Sequence, residues 1–346
     1  MKSTILLLPA LLSLLFVSHI FGTNNPKELG KVQWQRNMDD ALTLAEAGNK
    51  PVLILFQEVP GCMTCQRYGN VVLSHPLIVE AIETYFVPLA IHNNKGGKDK
   101  AVLDYYKEPS WNNPVVRMVG ADKKDLLPRL SANYSPSGLV AYMIQGLEKL
   151  NSTVPTYLRL LEEELLAQEG SLEKATLSMY CFWTGEKELG KIEGVVATEP
   201  GFMDRREVVN VYFNPSLVGL EDIVTHGSEV GCGDVVYTYN DAQRKKATRK
   251  LGAGKVKESK SFRIDAEPKY YLSKTIYQFI PMTPMQAMKA NALVGLGKKP
   301  ESVLSPRQII MLRHIKKGKH KWRSAIHADD WQFEFYKRWQ EVAKAV

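Results

Sequence analysis

Four cysteines, and the places where they fall, constrain this chain more than any other feature. Cys62 and Cys65 form a C-x-x-C directly after a continuous apolar run, Pro51-Val52-Leu53-Ile54-Leu55-Phe56. Such a run reads as a strand buried on both faces, so the C-x-x-C opens a helix on a strand-to-helix turn. The two sulfurs then lie within disulfide reach. Unpaired N–H groups and the helix dipole favour a thiolate at the first cysteine, which makes it the attacking group. The alternative is half a zinc site. No second C-x-x-C and no nearby Cys/His pair completes four ligands, so no metal is expected. Four cysteines in 346 residues are too few for a disulfide scaffold.

Around this turn the pattern alternates between helix and strand. Met38 to Ala47 and Pro76 to Tyr85 read as helices, and Phe86–Ile91 and Val115–Val119 as further strands. Ser135-Pro136 opens another helix through Leu150. Strands separated by helices imply an α/β sheet. A chain that is 45% hydrophobic and 24% charged can build real cores, which excludes disordered, collagenous and coiled-coil classes. The net charge of +8 is too weak to imply nucleic acid, and none is expected.

The strand, the C-x-x-C and Pro114 before a strand some 50 residues later resemble the thioredoxin family over about residues 30–150. The resemblance implies a thioredoxin-like fold, thiol–disulfide exchange at Cys62 and Cys65, and a cis-proline facing them, for which Pro114 is the candidate. The family usually has Trp before the first cysteine and Gly-Pro between the two. This chain has Gly61, then Met63-Thr64.

A second cysteine site follows. In Ala175-Thr176-Leu177-Ser178-Met179-Tyr180-Cys181-Phe182-Trp183 a strand ends in a cysteine beside two aromatic residues. Glu207 stands at the start of a later strand, Val208–Phe213. A thiolate, a carboxylic acid and an apolar wall suit attack on a polar group that leaves as oxygen. The ordered set Cys181-Phe182-Trp183, Gly194-Val195-Val196, Glu207-Val208-Val209, Asn214-Pro215, His226 and Glu229-Val230-Gly231 resembles the A-type peptide-methionine sulfoxide reductases. By that resemblance Cys181 attacks the sulfoxide sulfur and Glu207 protonates the oxygen. Phe182, Trp183, Phe202, His226 and Glu229 then fall on the substrate side. Phe202 replaces a family tyrosine, and Tyr237 or Tyr239 is the candidate to supply the lost hydroxyl. Cys232, set between two glycines in the same alignment, is the candidate resolving thiol; its alternative is a buried, inert cysteine.

Lys2 followed by the apolar run Ile5–Val17 reads as an export signal within residues 1–22, or as an uncleaved N-terminal anchor. Export, periplasmic or secreted, is therefore the expected localisation. The full organisation expected is a thioredoxin-like α/β domain over 28–168 and an α+β, ferredoxin-like reductase domain over 172–260. A mostly helical, basic extension over 261–346 completes it. Gly252–Lys260 reads as a loop. Trp322, Trp331, Phe333, Phe335 and Trp339 fall near helical spacing and are expected to pack on the second domain. The basic runs from Arg244 to Lys269 and from Arg307 to Arg323 read as a solvated face, or as a contact for an anionic membrane surface or an acidic protein. The expected partners are methionine-sulfoxide peptides or proteins and an upstream dithiol reductant, with no cofactor. The rival readings are a disulfide oxidoreductase whose second domain only grips clients, and a peptide-binding protein with both cysteine sites silent.

Overall fold

The computed structural model describes residues 25–170, 172–318, 322–326 and 330–344. The expected signal at 1–22 lies outside them. The first unit begins with α1 (Met38–Gly48), capped by the Asn37 side chain, and β1 (Val52–Gln57). Every residue of β1 is buried, because Leu53 and Leu55 face one hydrophobic cluster while Val52, Ile54 and Phe56 face another. The short α2 (Met63–Arg67) follows, then a π turn over Tyr68–Val72, α3 (Pro76–Tyr85), β2 (Val87–His92), α4 (Lys98–Tyr105) and β3 (Val115–Val119). The sheet order is β2-β1-β3, with β2 parallel and β3 antiparallel to β1. Isolated bridges Gln35–Leu89 and Val116–Leu130 extend it on both sides. The helices α5 (Pro136–Lys149) and α6 (Thr156–Glu169) complete the unit.

The second unit runs β4 (Glu173–Ser178), α7 (Phe182–Gly190), β5 (Val195–Met203), β6 (Arg206–Phe213), α8 (Leu220–Glu229) and β7 (Val235–Thr238). The order β7-β4-β6-β5 at the heart of its sheet is the ferredoxin-like arrangement. Then α9 (Asp241–Leu251) leads to β8 (Val256–Glu258) and β9 (Arg263–Ile264) at the two edges of the same sheet. The segment expected to be a loop thus partly pairs: β8 lies parallel to β7, whose edge would otherwise stay open.

The extension comprises α10 (Tyr270–Ser273), α11 (Pro284–Gly295), α12 (Pro306–Lys316) and α13 (Trp331–Ala343). Its aromatic residues do not pack where expected. Trp322, Trp331, Phe335 and Trp339 join the cluster built on α3, α5 and α6 of the first unit, and Phe333 stays exposed. Polar contacts fix this docking. Glu80 on α3 accepts from the Ser305 hydroxyl at 2.7 Å and the Arg307 amide at 2.6 Å, and the Tyr336 hydroxyl donates to the Ser74 carbonyl at 3.0 Å. Arg307 pairs with Glu83 and lies over the Trp339 ring, so it is not part of a free basic face. Meanwhile α11 packs on α7 of the second unit. Among the described residues no helix is long and apolar enough to cross a membrane.

Candidate active sites

The first site sits where β1 meets α2. Gly61 is the only residue type that fits there: a Cβ would stand 2.4 Å from the Glu58 carbonyl oxygen and 2.7 Å from the Cys65 Cβ. This close approach explains why a large residue does not precede Cys62. The Gly61 amide donates to the buried Glu28 carboxylate at 2.8 Å. Cys62 is exposed and Cys65 buried, with their sulfurs 3.5 Å apart. The Cys65 amide, donating to Cys62, holds that thiol below its ordinary pKa. Burial pushes Cys65 up to about 12. The Asn113–Pro114 bond is cis, and the Asn113 Oδ1 accepts from the Cys65 thiol at 2.6 Å. The pair is therefore asymmetric: an accessible thiol that ionises readily and a buried one kept protonated. The donor atoms of Glu58, Cys62 and Cys65 lie within 4.8 Å of one another, the one such trio among the described residues.

The second site sits where β4 meets α7. Cys181 is the half-buried N-cap residue of α7. Gly185 lets the helix lie close to the sheet, since a Cβ there would meet the Met179 Sδ at 1.9 Å. The two-residue turn at Asp204 and Arg205, both with positive φ, folds β5 back onto β6 and sets Phe202 opposite Glu207. Glu207 accepts from the Phe182 amide at 2.9 Å, which brings its carboxylate to the first turn of α7 beside Cys181. Phe182 meets Trp183 and Phe202 at centroid distances of 5.6 and 5.3 Å, forming one aromatic wall.

Cys232 is buried. Its amide donates to the Gly227 carbonyl at 2.6 Å, while Asp234 hangs from the Ser178 carbonyl at the end of β4. Burial pushes the Cys232 thiol up to about 11, and Cys181 is near enough for its charge to add to the effect. The four cysteines are free thiols in this structure.

One of the expected substrate residues, His226, is turned away from Cys181. The His226 ring bonds the Glu188 carbonyl at 3.2 Å, at the last turn of α7, about 10 Å along the helix from Cys181. Packing of α8 on α7 sets that direction. Glu229 is exposed at the end of α8, with no hydrogen bond or ion pair among the described residues. Tyr237 and Tyr239 do not supply the missing hydroxyl. Tyr237 pairs with Thr176 across the sheet, on the face turned away from α7, and the Tyr239 hydroxyl bonds Thr176 there at 2.7 Å.

The residues that do join the aromatic wall come from the edge strand β9 and the chain that follows it. Tyr270 stacks on Trp183 at 3.9 Å and 12°, Asp265 accepts from the Trp183 indole N–H at 3.4 Å, and Arg263 lies over the Phe202 ring at 4.3 Å. Sequence reasoning missed all three, as it missed Asn113 and Glu28. Only Asn113 carried a local signal, its place before Pro114.

Residues 33–121 match a family described as thioredoxin-like. The chain is 26% identical over 156 residues to the peptide methionine sulfoxide reductase MsrA 1 of Nostoc sp., covering 34% of this chain and 94% of that protein. It is 30% identical over 107 residues to the peptide methionine sulfoxide reductase MsrA of Methanothermobacter thermautotrophicus, covering 22% of this chain and 63% of that protein. Among solved structures, DsbH oxidoreductase aligns at 19% identity and a TM-score of 0.30, covering 37% of this chain and 90% of that one. A thioredoxin from Thermus thermophilus aligns at 22% and 0.29, covering 33% and 85%.

Proposed function

We propose that this chain, a thioredoxin-like domain joined to a relative of the peptide methionine sulfoxide reductases, reduces methionine sulfoxide in peptides or proteins by thiol chemistry. The observation that carries the reading is the position of Cys181 at the start of α7, with Glu207 bonded to the next amide and Phe182, Trp183 and Phe202 as one wall. The wall takes the apolar methyl end. The Cys181 thiolate attacks the sulfoxide sulfur while Glu207 gives a proton to the oxygen. The S–O bond breaks, the hydroxyl passes to the Cys181 sulfur as the new sulfur–sulfur bond opens, methionine leaves as the thioether, and Cys181 is left as a sulfenic acid. The Cys232 thiol condenses with it and releases water, forming a Cys181–Cys232 disulfide. Cys62 attacks that disulfide, and Cys65 then closes the Cys62–Cys65 disulfide, so the two electrons have moved from one dithiol to the sulfoxide. An external dithiol restores Cys62 and Cys65.

Glu186 is not the acid. It is buried, and its carboxylate accepts from the Lys269 ammonium at 2.6 Å and the Lys269 amide at 2.8 Å. The relay has two routes. A tether raises the effective thiol concentration to roughly millimolar within one chain. Against that, α6 meets the second sheet at Gly194, bonded to Glu163 at 3.0 Å, at the end opposite Cys181. A turnover rate per enzyme that is independent of enzyme concentration supports transfer within one chain; a rate that rises with it supports transfer between chains. Lys2 and the apolar run Ile5–Val17 support export of this chain. Sulfoxide turnover with dithiothreitol tests the function: the wild type should turn over and Cys181→Ser should not. Equal rates would remove Cys181 from the chemistry.

A further inference from the structure

The edge strand β9 brings to the rim of the second site a residue that the sulfoxide chemistry does not use. Register sets Arg263 opposite Phe202 and Phe202 opposite Glu207. Directly opposed residues share a face of a sheet, so Arg263, Phe202 and Glu207 form one row across three strands on the side of α7. The Arg263 guanidinium lies 4.3 Å from the Phe202 centroid, and the residue is exposed.

Arg263 makes no ion pair among the described residues. Four acids of this part of the chain are engaged by other groups. Asp204 pairs with Lys257 and Lys260 at 3.3 and 2.9 Å, Glu267 with Lys274 at 3.3 Å, and Glu186 with Lys269 at 2.6 Å. Asp265 holds the Trp183 indole. Arg263 is thus an exposed cation without an ion pair, held over the Phe202 ring. A guanidinium oriented in this way loses less freedom when it takes a carboxylate.

The spacing fits a peptide. Two strand spacings, about 10 Å, separate Arg263 from Glu207. One residue along an extended chain advances about 3.3–3.6 Å. A carboxylate one or two residues from an oxidised methionine therefore spans the gap on its own side chain.

We propose that Arg263 binds a substrate carboxylate, so that the preferred substrates are acidic segments with Asp or Glu one or two residues from the methionine sulfoxide. The proposal rests on the reductase reading for the sulfoxide and on Arg263 alone for the acid.

Binding measured apart from turnover tests it. Two fluorescent peptides carry one central methionine sulfoxide each and differ only in Glu against Gln at the flanking positions. Their affinities for the Cys181→Ser chain are read by anisotropy at low salt. The Glu peptide should bind about fivefold more tightly, the scale of an exposed ion pair. That ratio should fall to one in an added Arg263→Gln background and persist with Arg263→Lys. A ratio of one before the arginine is changed, a ratio that survives Arg263→Gln, or no binding of either peptide overturns the proposal. Turnover of the same peptides by the unaltered chain is read separately. An acidic preference in binding without any sulfoxide reduction sinks the reductase reading and leaves the carboxylate site standing. Reduction without the preference does the reverse.

Discussion

Replacing Glu80 by Gln should remove one step from the pH dependence of stability, and the structure sets the size of that step. Glu80 is fully buried on α3, where it caps α12 through the Ser305 hydroxyl and the Arg307 amide. Burial raises its carboxyl from 4.5 to about 7, against the opposing pull of Arg307. In the unfolded chain the same group titrates near 4.5. Between these values the native state holds a proton that the unfolded state has lost. The contribution of Glu80 is therefore complete below about pH 4.5 and is lost as pH rises through about 7, a change on the order of 3 kcal/mol. Urea unfolding of both chains from pH 4.5 to 8 measures it. The wild-type stability minus that of Glu80→Gln should fall by that amount across the range. His75, pushed down to about 4 by burial, works in the opposite direction below pH 6.5 but titrates in both chains and cancels. Glu164, raised to about 7 and bonded to the Met285 amide at 3.3 Å, cancels likewise. A difference that stays constant, or that grows with pH, would refute the assignment of a protonated, buried clamp.

Three further outcomes follow from the two sites. Iodoacetamide near pH 7 should label Cys62 first and Cys65 and Cys232 last, because Cys62 is exposed with a lowered pKa while the other two are held at about 12 and 11; peptide mapping with time checks the order, and early labelling of Cys65 would contradict it. Glu207→Gln should lower sulfoxide turnover about 10²–10⁴-fold, the usual scale of a positioned proton donor; a loss below about threefold moves the role to another group. One equivalent of sulfoxide added to a Cys62→Ser, Cys65→Ser chain should leave a Cys181–Cys232 cross-link visible by mass spectrometry, and a sulfenic acid persisting at Cys181 would remove Cys232 from the cycle.

How much of this was legible before the structure depends on how local each contact is. The strand before Cys62 declares itself because β1 buries both faces, so all six residues from Val52 to Gln57 sit inside. The strand–Cys–helix turns at Cys62 and Cys181 lie within a few residues of sequence, and both appear. Aromatic spacing in α13 signals burial of Phe335 and Trp339 but not the surface that buries them; an amphipathic stripe names a face, not its partner. Motif order places His226 on α8, yet the packing of α8 on α7 sends its ring to Glu188. Tyr270 reaches Trp183 from 87 residues away, after β9 has paired with β5, and no local pattern encodes that contact. The β8 strand was hidden for a related reason: its glycine- and lysine-rich surroundings look like a loop, and the open edge of β7 decides its pairing.

The central claim is that Cys181 is the nucleophile that takes oxygen from methionine sulfoxide. Single turnover without added reductant tests it most directly. Fully reduced chain is mixed with excess peptide carrying S-methionine sulfoxide, and the methionine peptide released per chain is counted. The account predicts two methionine peptides per chain from the wild type, whose two dithiols are spent in turn, one from Cys62→Ser, and none from Cys181→Ser. Stoichiometric release by Cys181→Ser, or its loss in Cys62→Ser alone, would contradict it.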